Sequence, residues 1–237
     1  MDLVEIARRL RNDVARLQFA TPVDYVYNPL AYAWKPHRAF LERYGAGEPQ
    51  VILLGMNPGP FGMAQTGVPF GDVAMVRDWL GIEAAVERPA REHPKRPVAG
   101  FQCARGEVSG QRLWGWARDA FGTPQRFFAR FFVVNYCPLV FMEASGRNHT
   151  PDQLPRAESA VLFNACNEAL RRTVERMRPE YVVGVGRFAA VRAASALKDM
   201  RVKFGVVPHP SPASPLANRG WAAQMTRALA EQGITIE

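Results

Sequence analysis

The chain holds only three cysteines in 237 residues, Cys103, Cys137 and Cys166, an odd number without CxxC or Cys/His spacing. That scarcity argues against a disulfide framework and against zinc or iron–sulfur ligation. Long apolar runs are missing too: none approaches the roughly 20 residues of a membrane span, so no segment is expected to cross a bilayer. The opening residues MDLVEIARRL lack the basic region, apolar region and cleavage site of a secretory signal. The expected setting is therefore the cytoplasm, of bacterial type, with any action on the nucleoid. Several catalytic signatures are absent: there is no G-x-S-x-G elbow, no HExxH and no GK[ST], and the one Gly-rich stretch after a strand does not match GxGxxG. Acid is also the minority charge, at 22 Asp and Glu against 30 Lys and Arg, for a net +8 and a pI near 9.9.

A cationic surplus of this size attracts polyanions, because each neutralised phosphate releases counterions. Nucleic acid is the first partner to consider, although a general compositional bias toward Arg gives the same balance. The 48% hydrophobic and 22% charged content fits a globular chain, and 237 residues suffice for one α/β core. We expect a single domain over residues 1–237 and a monomer.

Leu3, Ile6, Ala7, Leu10, Val14 and Leu17 recur at helical spacing and predict an amphipathic first helix. The stretch Thr21 to Arg38, with three prolines and four aromatics, reads as an irregular packed connection. Four short apolar runs then read as strands: Val51 to Met56, Phe131 to Asn135, Tyr181 to Val185 and Val202 to Val207. Helical patterns lie between them at Ala74 to Leu80, Arg112 to Phe121, Ala157 to Met177 and Phe188 to Lys198, and a closing helix spans Ala217 to Glu231. Alternation of this kind predicts a doubly wound parallel sheet with helices on both faces, a three-layer α/β/α sandwich. Ligands bind such sheets outside the carboxyl ends of the strands. The loops there begin at Asn57, Asn135, Gly186 and Pro208–His209, so the first, second and fourth are expected to converge with polar side chains.

The first of these loops, GMNPGPFGM, has no acid, base or thiol. Pro58 and Pro60 stiffen it, while Gly59 and Gly62 permit close approach of a flat or phosphorylated group. Asn57 cannot act as a strong base; it either orients a water or forms a turn through its amide. Asn135 offers a donor and an acceptor side by side, suited to a base edge or to a turn. His209, between Pro208 and Pro210, could stabilise charge on a leaving group, or be structural. Ser211 and Ser214, with exposed amides and a helix start behind them, form either a phosphate clamp or an N-cap, and Arg219 would face the same partner. Met56, Met63 and Phe70 read singly as core, yet an aromatic beside two amides and a histidine supplies the stacking face a flipped base requires. The Pro-broken basic stretch Glu87 to Gly100 is a solvated surface loop or a phosphate contact.

Three segments, Gly55 to Ile82, Asn135 to Met142 and His209 to Trp221, together closely resemble the single-strand-selective monofunctional uracil-DNA glycosylases, within the uracil-DNA glycosylase superfamily. The likeness runs from about Tyr25 to the last helix. It implies a four-stranded parallel sheet flanked by helices, and hydrolysis of the N-glycosidic bond of a flipped base without metal or cofactor, leaving an abasic site in DNA. The implied substrates are uracil and oxidised derivatives such as 5-hydroxymethyluracil, in single- or double-stranded DNA, with deaminated purines accepted by some relatives. By position, Asn57 matches the family's water-orienting asparagine and His209 the histidine that supports the departing anion. Phe70 matches the stacking aromatic, and Asn135 the reader of the Watson–Crick edge. Backbone at Gly59 and Met63 matches the pair holding a water near C5 of the base, with Met56 beside them. Pro58, Pro60, Ser211, Pro212, Ala213, Ser214 and Arg219 fall where DNA is contacted. Ala213 stands where vertebrate relatives carry a wedge Arg, which implies weaker insertion into duplexes and a preference for single strands or weakened pairs. Asp72 stands where Glu is commoner. Two other classes stay open: a nucleic-acid-binding relative without catalysis, which would more naturally lack Asn57 or His209, and a hydrolase of free nucleosides or nucleotides, which would leave the basic surplus without a role.

Overall fold

Runs of Val, Ile, Leu and Phe without polar alternation form three strands of a parallel sheet between helices, largely buried on both faces, while the strand at Lys203–Val207 lies at an exposed edge. A computed structural model of the chain describes residues 1–214 and 216–236, without the side chain of Leu216. Pro215, inside the His209–Trp221 segment, lies outside the described residues. In chain order the elements are α1 (Leu3–Val14), β1 (Tyr25–Tyr27), α2 (Pro29–Tyr32), α3 (Trp34–Tyr44), β2 (Val51–Gly55), α4 (Met63–Thr66) and α5 (Val108–Phe121). Then follow α6 (Pro124–Phe128), β3 (Phe131–Asn135), β4 (Val140–Met142), β5 (Asn148–His149), α7 (Arg156–Met177), β6 (Tyr181–Val185), α8 (Arg187–Ala196), β7 (Lys203–Val207) and α9 (Trp221–Glu231).

The main sheet runs β3-β2-β6-β7, all parallel, with Val51 opposite both Phe131 and Tyr181 and Gly55 opposite Asn135. Ile52, Leu53 and Leu54 are fully buried, so β2 forms the spine of the core. Helices α1, α7 and α8 pack as one group and α5, α6 and α9 as another, giving an α/β/α sandwich. Every strand of this sheet ends at the same edge, where the loops after β2, β3 and β7 meet.

Four expectations need correction. The Thr21 to Arg38 stretch is ordered: it contains β1, α2 and the start of α3. Pro29 and Pro36 lie in first helical turns, where a missing N–H costs nothing. β1 joins a second sheet, antiparallel β1-β4-β5, that brackets the segment after β3. The closing helix begins at Trp221 instead of Ala217, because Leu216–Asn218 forms a separate 3-10 turn. Its N-terminus is therefore farther along the chain from Ser211 and Ser214 than expected. Met75–Trp79 is a π-helical turn within the expected Ala74 to Leu80 helix, and α5 starts four residues early.

Candidate active site

The strand-end loops enclose a cleft of about 370 Å³ lined by Met56, Asn57, Pro58, Gly59, Gly62, Met63, Phe70, Glu107, Ser109, Asn135, Asn148, Thr150, His209 and Ser211. A cleft of this volume suits a small ligand or one extruded nucleotide. The structure thus brings the loops beginning at Asn57, Asn135 and His209 to one place.

Asn57 sits two residues past β2. Its Nδ2 donates to Leu139 O at 3.0 Å, and more weakly to Pro58 O at 3.5 Å. The amide plane is fixed by its donor side, which leaves the Oδ1 lone pairs for a guest hydrogen. Leu139 is held by β4, so the small second sheet helps aim the side chain. Backbone pairing continues past the strands, Tyr136 N to Gly55 O and Cys137 N to Met56 O, both at 2.9 Å, and fastens the loop at Met56.

Asn135 ends β3 directly opposite Gly55. A Cβ on residue 55 would lie 2.3 Å from Asn135 Oδ1 and 2.7 Å from the Phe70 ring, so glycine there is what lets the amide and the ring share the cleft floor. Asn135 Nδ2 points at Met63 Sδ, 3.3 Å away. Phe70 has φ of +53°, a left-handed conformation that a bulky residue adopts only under constraint. Its carbonyl receives Trp114 Nε1 at 3.0 Å and Asp72 N at 2.9 Å. The same carbonyl would be 2.0 Å from a Cβ at Gly110, so α5 clasps the turn at its closest point.

His209 accepts from Ser211 N at Nδ1, 3.1 Å, which leaves the proton on Nε2. Burial pushes its pKa below the ordinary histidine value, so the ring is a neutral N–H donor at pH 7. The segment carrying it is tied at several points: Trp221 Nε1 donates to Pro208 O at 2.8 Å, and Arg112 donates to Pro210 O at 2.7 Å and Asn218 Oδ1 at 2.9 Å.

Of the expected DNA-contacting residues, Pro58 and Ser211 line the cleft and the others do not. Pro60 turns away, its carbonyl taken by Gln65 Nε2 at 2.9 Å. Pro212, Ala213 and Arg219 are exposed and Ser214 is half-buried on the loop outside. Ser211 Oγ accepts from Ala213 N at 3.2 Å, and Ser214 N donates to Ser211 O at 2.9 Å, so the loop is a self-bonded turn.

Glu107, Ser109, Asn148 and Thr150 are wall residues that sequence reasoning missed. Glu107 caps α5, accepting from Ser109 N and Gly110 N, and burial raises its pKa against the pull of those amides. An acid just ahead of an apolar helical run was the available signal for it. Asn148 and Thr150 come from and just after the two-residue strand β5, too short for any periodicity to reveal. Among the described residues, no group of three or more His, Cys, Asp or Glu is arranged to hold a metal.

Chemically, the cleft offers a flat ring, an amide that can pair with a base edge, a free carbonyl oxygen for a water, and a neutral N–H donor. The family model described as the uracil DNA glycosylase superfamily matches residues 42–230. The single-strand selective monofunctional uracil DNA glycosylase of Bos taurus is 50% identical over 228 residues, 95% of this chain and 84% of that protein. The corresponding protein of Rattus norvegicus is 51% identical over 228 residues, 95% of this chain and 82% of its own. Among solved structures, wild-type SMUG2 of Pedobacter heparinus superposes with a TM-score of 0.70 over 98% of this chain and 97% of that one, at 16% identity. At that identity the likeness concerns the fold alone.

Proposed function

The chain belongs to the uracil DNA glycosylase superfamily, and from that premise we propose that its cleft is the active site of a monofunctional uracil-DNA glycosylase of base excision repair. The enzyme hydrolyses the N-glycosidic bond of a base flipped out of DNA and leaves an abasic site. The observation that carries the reading is the convergence of Asn57, Phe70, Asn135 and His209 around one cleft, with Asn57 Oδ1 and His209 Nε2–H lacking a hydrogen-bond partner among the described residues.

The flipped pyrimidine stacks on Phe70, and Asn135 pairs with its Watson–Crick edge. As the bond to the sugar breaks, its electron pair moves into the base and the negative charge spreads to a ring carbonyl oxygen. A prealigned Nε2–H from His209 stabilises that charge, a contribution of roughly 3 kcal/mol for one well-placed donor. The sugar becomes an oxocarbenium-like electrophile, strong enough to be captured by neutral water. Asn57 Oδ1 therefore needs only to accept one hydrogen from that water and aim it; after capture the surplus proton passes to solvent, and the base anion takes up one in turn. No strong base is required, which fits a loop without one.

Backbone at Gly59 and Met63 would face C5 of the base, and the open space at Gly59, where a Cβ would meet nothing within 4 Å, supports acceptance of 5-hydroxymethyluracil beside uracil. The small, exposed Ala213 offers no side chain to fill a duplex after flipping, which supports preferred action on single strands. The test is to incubate wild-type, Asn57→Ala and His209→Ala proteins with single- and double-stranded oligonucleotides carrying one uracil, then score alkali-labile sites. Wild type is expected to cleave, and each variant to lose on the order of 100-fold or more in rate while still binding DNA. Wild-type turnover in either variant would refute the assignment of that residue, and no cleavage of any uracil substrate by wild type would refute the activity.

A further inference from the structure

Beside the cleft, Phe61 carries two arginines: the Arg105 guanidinium carbon lies 4.0 Å from the ring centroid and that of Arg96 lies 5.5 Å from it. Phe61 immediately precedes cleft residue Gly62, and Arg105 is two residues from cleft residue Glu107, hence within about 7 Å of it along the chain. The cluster is fixed against the rim. Buried Gln65 gives Nε2 to Pro60 O at 2.9 Å and Pro97 O at 3.0 Å, and its Oε1 receives Ala99 N at 2.9 Å and Gly100 N at 3.1 Å. One side chain thus stitches the end of the basic Glu87 to Gly100 stretch to the loop that carries Phe61.

A guanidinium seated over an aromatic ring spends none of its N–H groups on that ring, so they remain available to an anionic acceptor. Among the described residues neither Arg96 nor Arg105 has a carboxylate partner within salt-bridge distance, whereas Arg88 and Arg91 of the same stretch are paired with Glu92 and Asp24. Arg96 Nη1 also donates to Lys95 O at 3.1 Å, which leaves its remaining donors available.

We infer that Phe61, Arg96 and Arg105 form a phosphate-holding platform for the single strand that flanks the flipped nucleotide. The occupant is the phosphodiester backbone: it supplies the anions the unpaired guanidinium edges fit, and it must run past the rim once one nucleotide enters the cleft. This rests on the glycosylase reading for which strand is bound, but its measurement does not need excision.

The experiment is fluorescence anisotropy with a lesion-free single-stranded 15-mer across a salt series, using wild type, Arg96→Gln/Arg105→Gln, Phe61→Leu, and a charge-matched control, Arg8→Gln/Arg176→Gln, on α1 and α7. Loss of two phosphate contacts is expected to lower the salt slope by about 1.4 and to weaken binding on the order of 10-fold at 0.1 M salt. Phe61→Leu, with both charges intact, is expected to weaken binding about threefold. An unchanged slope in Arg96→Gln/Arg105→Gln, or an equal fall in the control, would overturn the platform. Should the double variant fail to fold, Arg105→Gln alone reads a slope change of about 0.7, and no change there overturns it equally. Wild type that binds the 15-mer but excises no uracil would refute the glycosylase reading while the salt series still decides the platform.

Discussion

Adding one methyl group at Gly55 is expected to disable base recognition while the sheet stays intact. Contact at ordinary van der Waals distance begins near 3.4 Å, and the new Cβ would stand at 2.3 Å from Asn135 Oδ1 and 2.7 Å from the Phe70 ring. The amide must retreat by roughly 1 Å and the ring by somewhat less, and neither has slack. Asn135 is locked by the β2–β3 register, and Phe70 by Trp114 and α5. Overpacking of this kind costs roughly 1–3 kcal/mol of stability, or about 2–12 °C in a chain of this size. Displacing a recognition group by about 1 Å costs on the order of 100-fold in rate. The assay is kcat/KM on a single-stranded uracil oligonucleotide, with thermal unfolding monitored in parallel. Gly115→Ala is the control, since a Cβ there meets nothing within 4 Å in α5, and it is expected to stabilise by about 0.5–1 kcal/mol with activity unchanged. A Gly55→Ala enzyme within threefold of wild type would refute the claim that the amide and the ring depend on that bare backbone.

Gln65→Ala leaves two carbonyls and two N–H groups without their partner, so a loss of at least about 3 kcal/mol is expected in denaturant titration, together with weaker DNA binding. His37 is buried, with Nδ1 2.7 Å from Gly67 O, and burial lowers its pKa from 6.5 to about 4. Between those values the unfolded chain takes up a proton the folded chain refuses. Stability should therefore fall as pH drops from 6.5 toward 4, by about 3 kcal/mol, and His37→Gln should flatten that part of the curve; identical pH profiles would count against the linkage. His209 is expected to give the nitrogen NMR pattern of a neutral Nε2–H imidazole at pH 7, and an imidazolium pattern would remove the basis for its tautomer.

The strands are the readable part of the fold because β2, β3 and β6, lying between two helix layers, are apolar along nearly their whole length, and the carboxyl ends of all four point at the site by topology alone. The same topology brings Asn57, Asn135 and His209 to one edge. The small antiparallel sheet escaped notice: β1 and β4 have three residues each and β5 two, below the length at which alternation has meaning. Its loss from the reading hid Asn148 and Thr150, and also the reason Asn57 points where it does, since the carbonyl that holds it belongs to Leu139. Pro36 misled in the other direction: its first-turn position in α3 is permissive, yet in a proline- and aromatic-rich stretch it reads as a breaker. Which guanidiniums are already paired and which are not is a property of folded neighbours, and the sequence of the Glu87 to Gly100 loop could not divide them.

The left-handed turn at Phe70 bears on how this chain could change over time. Relief of its backbone strain by Gly or Asn would gain roughly 1–2 kcal/mol, while losing a half-buried ring would cost a similar amount. Folding stability is therefore nearly indifferent to phenylalanine at this position. A population selected for heat tolerance alone would drift away from it, and repeated recovery of Phe70 in such a selection would have to come from demand for activity.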